Sequence, residues 1–169
     1  MRTSIYIDGF NLYYRAVRGT PFKWLDLKQV CERLLDPKHR IVAVNYYTAP
    51  VSGTPATVRI LKTEEKGSDV NLAVHLLNDA WRDVYDCAVV VSNDSDLAES
   101  MRLVRLHHPG KVIGLIFPRQ GGPGARHAYP SRELTRHAHF MKHLGKSVLA
   151  ACQMPNPIPG TTIHKPPAW

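Results

Sequence analysis

The apolar run Val89-Val90-Val91 stops at Ser92-Asn93-Asp94-Ser95-Asp96: a hydroxyl, an amide and two carboxylates in quick succession. Acids that close together repel each other unless a cation or a proton lies between them. A second apolar run, Ile5-Tyr6-Ile7, ends at Asp8-Gly9-Phe10-Asn11 in the same manner, and Asp69 follows Gly67-Ser68. What such carboxylates could do together is hold a hard divalent cation, Mg²⁺ or Mn²⁺, through oxygen ligands. Three of these acids also have a plain structural use, which leaves Asp94 without one. Asp96-x-x-Glu99 fits a capping box, Asp69 fits the first turn of a helix, and Asp8 fits a turn opened by Gly9.

Periodicity predicts the elements that would carry these acids. An unbroken β-branched run reads as a strand buried on both faces, as in a parallel sheet. Strands are expected over residues 4–7, 41–48, 57–61, 89–91 and 112–117. Helices are expected between them. One covers 12–17, capped by Asn11. The next opens at the capping-box pattern Asp26-Leu27-Lys28-Gln29, buries Leu27, Val30, Cys31, Leu34 and Leu35, and ends at Asp36-Pro37. A third starts at Ser68 or Asp69 and buries Val70, Ala73, Val74, Leu77 and Trp81, with His75 a structural or surface residue. A fourth covers 97–107, with Leu97, Met101 and Val104 on one face. The last runs from Ser131 through Leu144. Strand–helix alternation of this kind makes an α/β fold with a mainly parallel sheet. Asp8, Asp94 and Asp96 then follow strands and Asp69 begins a helix, so all four fall on one sheet edge, where such folds bind ligands. Separate structural explanations for four acids on one edge are each easy, but their coincidence is less so.

Composition bounds the partners. The chain has 169 residues and a formal net charge of +8. The excess lies entirely after Asp96: residues 97–169 hold ten Lys/Arg against two Asp/Glu. A basic part beside an acidic cluster suits a polyanionic substrate. The basic loop from Arg119 to Pro130 is rich in glycine but has no G-K-[ST], so it is no P-loop. Cys31, Cys87 and Cys152 form no C-x-x-C pair, and the first two fall in apolar patterns as reduced core residues. The histidines lack zinc-site spacing. No signal-peptide core precedes the first expected strand and no run is long enough to span a bilayer, so the expected compartment is the cytoplasm, with no membrane partner. Residues 1–150 are expected to form one domain. Residues 151–169 read as a Pro-rich tail, anchored by Ile163 and Trp169.

The segments 5–11, 65–70 and 91–96, in that order and at strand and helix ends, resemble the three signature segments of NYN domains. These are PIN-like domains of the FLAP-nuclease type, with a LabA-like bacterial branch. The resemblance implies a Rossmann-like three-layer α/β/α sandwich and a Mg²⁺- or Mn²⁺-dependent ribonuclease site that hydrolyses RNA phosphodiester bonds with metal-activated water. By match to the motifs, Asp8, Asp94 and Asp96 would be metal ligands, Asp69 would complete the acidic cluster, and Asn11 would position phosphate or water. Ser92, Asn93 and Lys66 would meet the substrate, joined by Arg119, Arg126 and Arg132 from the basic part. The stretch between Tyr47 and Lys66 is shorter than is usual in such domains. RNA is the implied partner, and a homo-oligomer stays open. Two other readings accompany this one. The first is a non-catalytic RNA- or protein-binding module on the same fold. The second is an oxidoreductase acting on N-heterocycles, as some relatives are labelled, although no G-x-G-x-x-G motif is visible.

Overall fold

The computed structural model describes residues 1–48, 61–62, 67–118 and 129–169. In chain order the elements are β1 (Arg2–Asp8), α1 (Gly9–Leu12), a π-helical turn (Tyr13–Val17), α2 (Leu27–Leu34), β2 (Arg40–Thr48), β3 (Leu61–Lys62), α3 (Ser68–Trp81), β4 (Cys87–Val91), a 3₁₀ turn (Ser95–Leu97), α4 (Ala98–His107), β5 (Val112–Pro118), α5 (Arg132–His137), β6 (Phe140–Leu144) and α6 (Lys146–Ala151). The six described strands form one sheet in the order β3-β2-β1-β4-β5-β6. Every pairing is parallel.

Side-chain alternation explains the layering. Ile5, Ile7, Val89 and Val91 point to one face, against Leu12, Val17, Val30 and Leu149 of α1, the π-helical turn, α2 and α6. Tyr6, Ala88 and Val90 point to the other, against Leu72, Leu76, Met101 and Leu134 of α3, α4 and α5. No residue of β4 is more than 3% exposed, which is why its sequence shows no polar alternation. Each fully buried Val or Ile contributes roughly 1.5–3 kcal/mol. The result is the expected three-layer α/β/α sandwich. From β1 the chain builds outward to β2 and β3, then returns to start β4 on the other side of β1. The crevice between the carboxyl ends of β1 and β4 is therefore a topological switch point, where ligands bind in such sheets.

Several expectations hold in detail. Asp26 caps α2, its carboxylate accepting from the Gln29 N–H at 2.9 Å. His75 is structural, its Nδ1 lying 3.0 Å from the buried Tyr47 hydroxyl. All three cysteines are free and buried. The tail folds back on Trp24: Met154 N–H donates to its carbonyl at 2.8 Å, and the Trp169 ring meets its indole edge-on. Separately from these expectations, no helix among the described residues is long and apolar enough to cross a membrane. Most of the strand expected over 57–61 lies outside the described residues.

Other expectations need correction. α3 buries Leu72, Leu76 and Ala80, whereas Val70, Val74 and Trp81 are more than half exposed. This helix is apolar on two faces, and the leucines and the small Ala80 win the sheet. Trp81 lies instead on the rings of His107 and His108. The helix expected from Ser131 to Leu144 ends at His137, and Phe140–Leu144 becomes β6. The spacing of Leu134, His137, Ala138, Met141 and Leu144 is helical by coincidence. The edge of β5 supplies backbone partners that override it: the His139 N–H donates to the Ile113 carbonyl at 2.7 Å, and the Ile113 N–H donates back to His139 Nδ1 at 2.9 Å. Phe140 then lies over Gly114, where a Cβ would overlap its ring.

That packing is testable. Gly114→Ala forces the Phe140 ring off the sheet and should cost about 1–3 kcal/mol in denaturant unfolding. In the Phe140→Ala background the same change should cost far less, because the two residues share one space. Additive losses would show that β6 is held by something else.

Candidate metal centre

β1 delivers Asp8 to its carboxyl end, next to β2 and β4. The side chain is 6% exposed. Its Oδ1 accepts from the Asn11 N–H at 2.9 Å, which makes Asp8, rather than Asn11, the cap of α1. Its Oδ2 accepts from the Ser92 hydroxyl at 2.9 Å. Gly9 is required by close approach: a Cβ there would overlap the Tyr46 ring and the Tyr47 carbonyl. The Tyr46 ring thus packs on Gly9, the residue next to Asp8.

Ser92 and Asn93 form the link between β1, β4 and α5. Ser92 is fully buried, and its Oγ also accepts from the Asp94 N–H at 3.0 Å. The Asn93 N–H donates to Asn11 Oδ1 at 2.9 Å, its Oδ1 accepts from the Ser131 N–H, and its Nδ2 donates to the Tyr129 carbonyl. Expected to meet the substrate, both residues spend these polar groups inside the protein. They set the position of the acids and of the segment leading into α5. Asn11 is divided: its Oδ1 is committed to Asn93, while the residue still lines the open pocket.

That pocket has a volume of about 330 Å³ and is lined by Asp8, Asn11, Asp69 and Asp94, together with Phe10, Tyr14, Arg15 and Ser68. Asp94 caps the 3₁₀ turn, its Oδ1 accepting from the Asp96 N–H at 3.1 Å. Asp69 enters from the first turn of α3, which begins after Gly67 in the left-handed region at φ 109°. Asp96 is exposed and outside the pocket lining. The alternative use of Asp96, a capping box with Glu99, does not form, and Glu99 pairs with Arg102. Arg132 is exposed at the start of α5. Lys66, Arg119 and Arg126 lie outside the described residues. Tyr14, Arg15 and Tyr46 were not expected at the site. Their only advance signal was proximity in sequence to Asp8 or to the end of a strand.

The two ends of the sheet treat acids in opposite ways. At the amino end, Arg2 binds both Asp83 and Asp86, and Lys111 binds Asp83. The Arg2 guanidinium and N–H hold the Asp86 carboxyl down at about 2. At the carboxyl end, Asp8, Asp69 and Asp94 make no ion pair among the described residues, although Arg15 lines the same pocket. Burial pushes the Asp8 carboxyl up, its two hydrogen bonds resist, and the charges of Asp94 and Asp69 push it further. A buried oxyanion among like charges is the donor set that a hard divalent cation fits. Among the described residues no three acidic, His or Cys side chains already form a metal-holding group.

Because the folded value for Asp8 lies above the ordinary one, its proton is held better by the fold than by the unfolded chain. The stability it contributes is full below about pH 3.9 and is lost as pH rises through the folded value. Asp8→Asn should remove that loss. In chelator near neutral pH it should melt higher than wild type, by about 2–4 °C for each kcal/mol relieved. Mg²⁺ or Mn²⁺ should then raise the melting temperature of wild type and leave the variant unchanged. A variant that melts lower at every pH, with a wild type indifferent to metal, would make Asp8 a plain helix cap.

Comparison with known proteins adds the family. The model of the NYN domain matches residues 2–144. The whole chain aligns with 75% of 6-hydroxy-3-succinoylpyridine 3-monooxygenase from Pseudomonas putida at 28% identity. That alignment covers 241 positions, more than the chain has, so the relative contains stretches without a counterpart in this chain. A crystal structure of a protein of unknown function from Vibrio parahaemolyticus superposes with a TM-score of 0.61 at 15% identity, over 86% of this chain and 93% of the other. That likeness concerns the fold. With the family model covering β1 through β6, the chain belongs to the NYN domain family, a nuclease-like family.

Proposed function

We propose that the protein is a ribonuclease dependent on Mg²⁺ or Mn²⁺ that hydrolyses RNA phosphodiester bonds at the pocket between β1 and β4. The observation that carries this is the acid set of Asp8, Asp69 and Asp94, without an ion pair among the described residues, at a switch point on a sheet whose other end pairs its acids with Arg2 and Lys111. Asp8 and Asp94 hold the cation, with Asp69 and, from the adjoining turn, Asp96 adding negative potential. When bound, the cation supplies Lewis acidity toward phosphoryl oxygens and lowers the pKa of water, so no protein nucleophile is needed. Ser92 fixes the Asp8 carboxylate, and the side-chain amide of Asn11 faces phosphate or water. The basic part of the chain, including Arg132 and the segment with Arg119 and Arg126, draws the polyanion in.

Mixed RNAs incubated with and without Mg²⁺ or Mn²⁺ test the reading. Wild type should cleave only with metal, and Asp94→Asn should lose nearly all cleavage while keeping its fold, because Asn still caps the 3₁₀ turn. Undiminished metal-dependent cleavage by Asp94→Asn would remove the assignment. Neutralising Arg119, Arg126 and Arg132 together should lower the log–log salt slope of RNA binding by about 0.7 for each phosphate that the variant no longer neutralises.

A second reading is favoured by the monooxygenase relative: hydroxylation of a hydroxypyridine carboxylate. Incubation with 6-hydroxy-3-succinoylpyridine, O₂ and a reduced nicotinamide separates the two. Substrate-dependent O₂ uptake, without RNA cleavage, would select the oxygenase.

A further inference from the structure

The π-helical turn after α1 presents residues that neither the acids nor the core use. Its wide turn is closed by the Arg18 N–H donating to the Tyr13 carbonyl at 2.7 Å. Leu12, Ala16 and Val17 go to the core, which leaves Tyr13, Tyr14 and Arg15 on the open side. Tyr13 and Tyr14 are 40% and 49% exposed, with ring centroids 5.2 Å apart and nearly perpendicular. The Arg18 guanidinium lies 5.3 Å from the centre of the Tyr14 ring. Tyr14 and Arg15 both line the acidic pocket. Arg15 makes no ion pair there, and its Nη1, shielded from solvent, has no hydrogen-bond partner among the described residues. Shielded donors are nearly always paired, so an unpaired one beside a pocket calls for an acceptor. π-Helical turns recur at functional sites.

We propose that Tyr14 and Arg15 form a one-nucleotide subsite beside the acids, and that it admits only an unpaired strand. Arg15 takes the phosphate next to the one at the carboxylates, through its forked donors. Tyr14 stacks the attached base, with Arg18 fixing the ring by its cation–π interaction. A base can offer its face to Tyr14 only when it is out of a duplex, so the turn selects single-stranded RNA. The inference rests on the ribonuclease reading for its substrate class, and its test does not depend on cleavage.

The Asp94→Asn protein with Mg²⁺ is titrated with a labelled single-stranded oligoribonucleotide and with the same strand in a duplex. The single strand should bind at least about tenfold more tightly. Tyr14→Ala in that background should lose roughly 5- to 150-fold on the single strand and nothing on the duplex, while Tyr14→Phe keeps its affinity. Arg15→Ala should lower the salt slope by about 0.7, and Arg15→Lys should recover the slope but not the full affinity. With the wild-type chain, a thiouridine-substituted strand should photo-crosslink within 13–18, which needs no variant to fold. Equal affinity for duplex and single strand, alanine variants that bind like their parent, or no RNA binding at all would overturn the subsite. If wild type never cleaves RNA but this pattern holds, the subsite stands and the ribonuclease reading falls. If it cleaves and the variants bind unchanged, the reverse is true.

Discussion

A carboxylate lies buried between two parallel strands, and the surrounding structure is arranged to tolerate its charge. Asp8 receives one N–H from the start of α1 and one hydroxyl from the end of β4. The second bond joins elements far apart in sequence, and the same Ser92 oxygen orients the backbone that leads to Asp94. Removing the hydroxyl would leave a shielded oxygen without a donor and would free the turn after β4 at the same time. Asn11 and Asn93 extend the connection to the segment that leads into α5. Asp8 and Asp94 are thus held by a polar network that reaches from β1 to the start of α5.

The strand order explains why the site lies where it does. β1 has β2 on one side and β4 on the other, and the helices that follow β1 and β4 cover opposite faces. Among the described residues the connections part at that seam and leave a crevice. The acids at the far end of the sheet are neutralised by Arg2 and Lys111, so the contrast lies in local chemistry and does not follow from net charge. The turn that carries Tyr14 and Arg15 forms one wall of the crevice, and the start of α3 forms another.

Much of this was legible in the sequence. Unbroken runs such as Val89-Val90-Val91 are strands because both faces are covered, and Asp26 caps α2 through the Gln29 N–H as its spacing foretold. The strand-end positions of Asp8 and Asp94 followed from those runs. What stayed hidden depends on tertiary packing. The helical spacing through Met141 gave way to strand pairing because β5 offered an edge and Gly114 offered space for Phe140. The buried face of α3 was read one step around the helix, since valines and a tryptophan make a second apolar stripe. Ser92 and Asn93 looked like ligand-binding residues, for no local pattern shows that a hydroxyl and an amide will be used up by neighbours from distant strands.

The central place of β1 bears on how the chain assembles. Its two sheet neighbours begin at Arg40 and Cys87, so the first strand has no partner close to it in sequence. During synthesis Ile5-Tyr6-Ile7 emerges before β2 and has no strand partner until β2 arrives, and its other edge stays open until β4 is made. Non-local parallel pairings of this kind slow folding and lengthen the time for which apolar edges are exposed. Asp8, at the end of that strand, gains the Ser92 hydroxyl only once β4 has paired with β1.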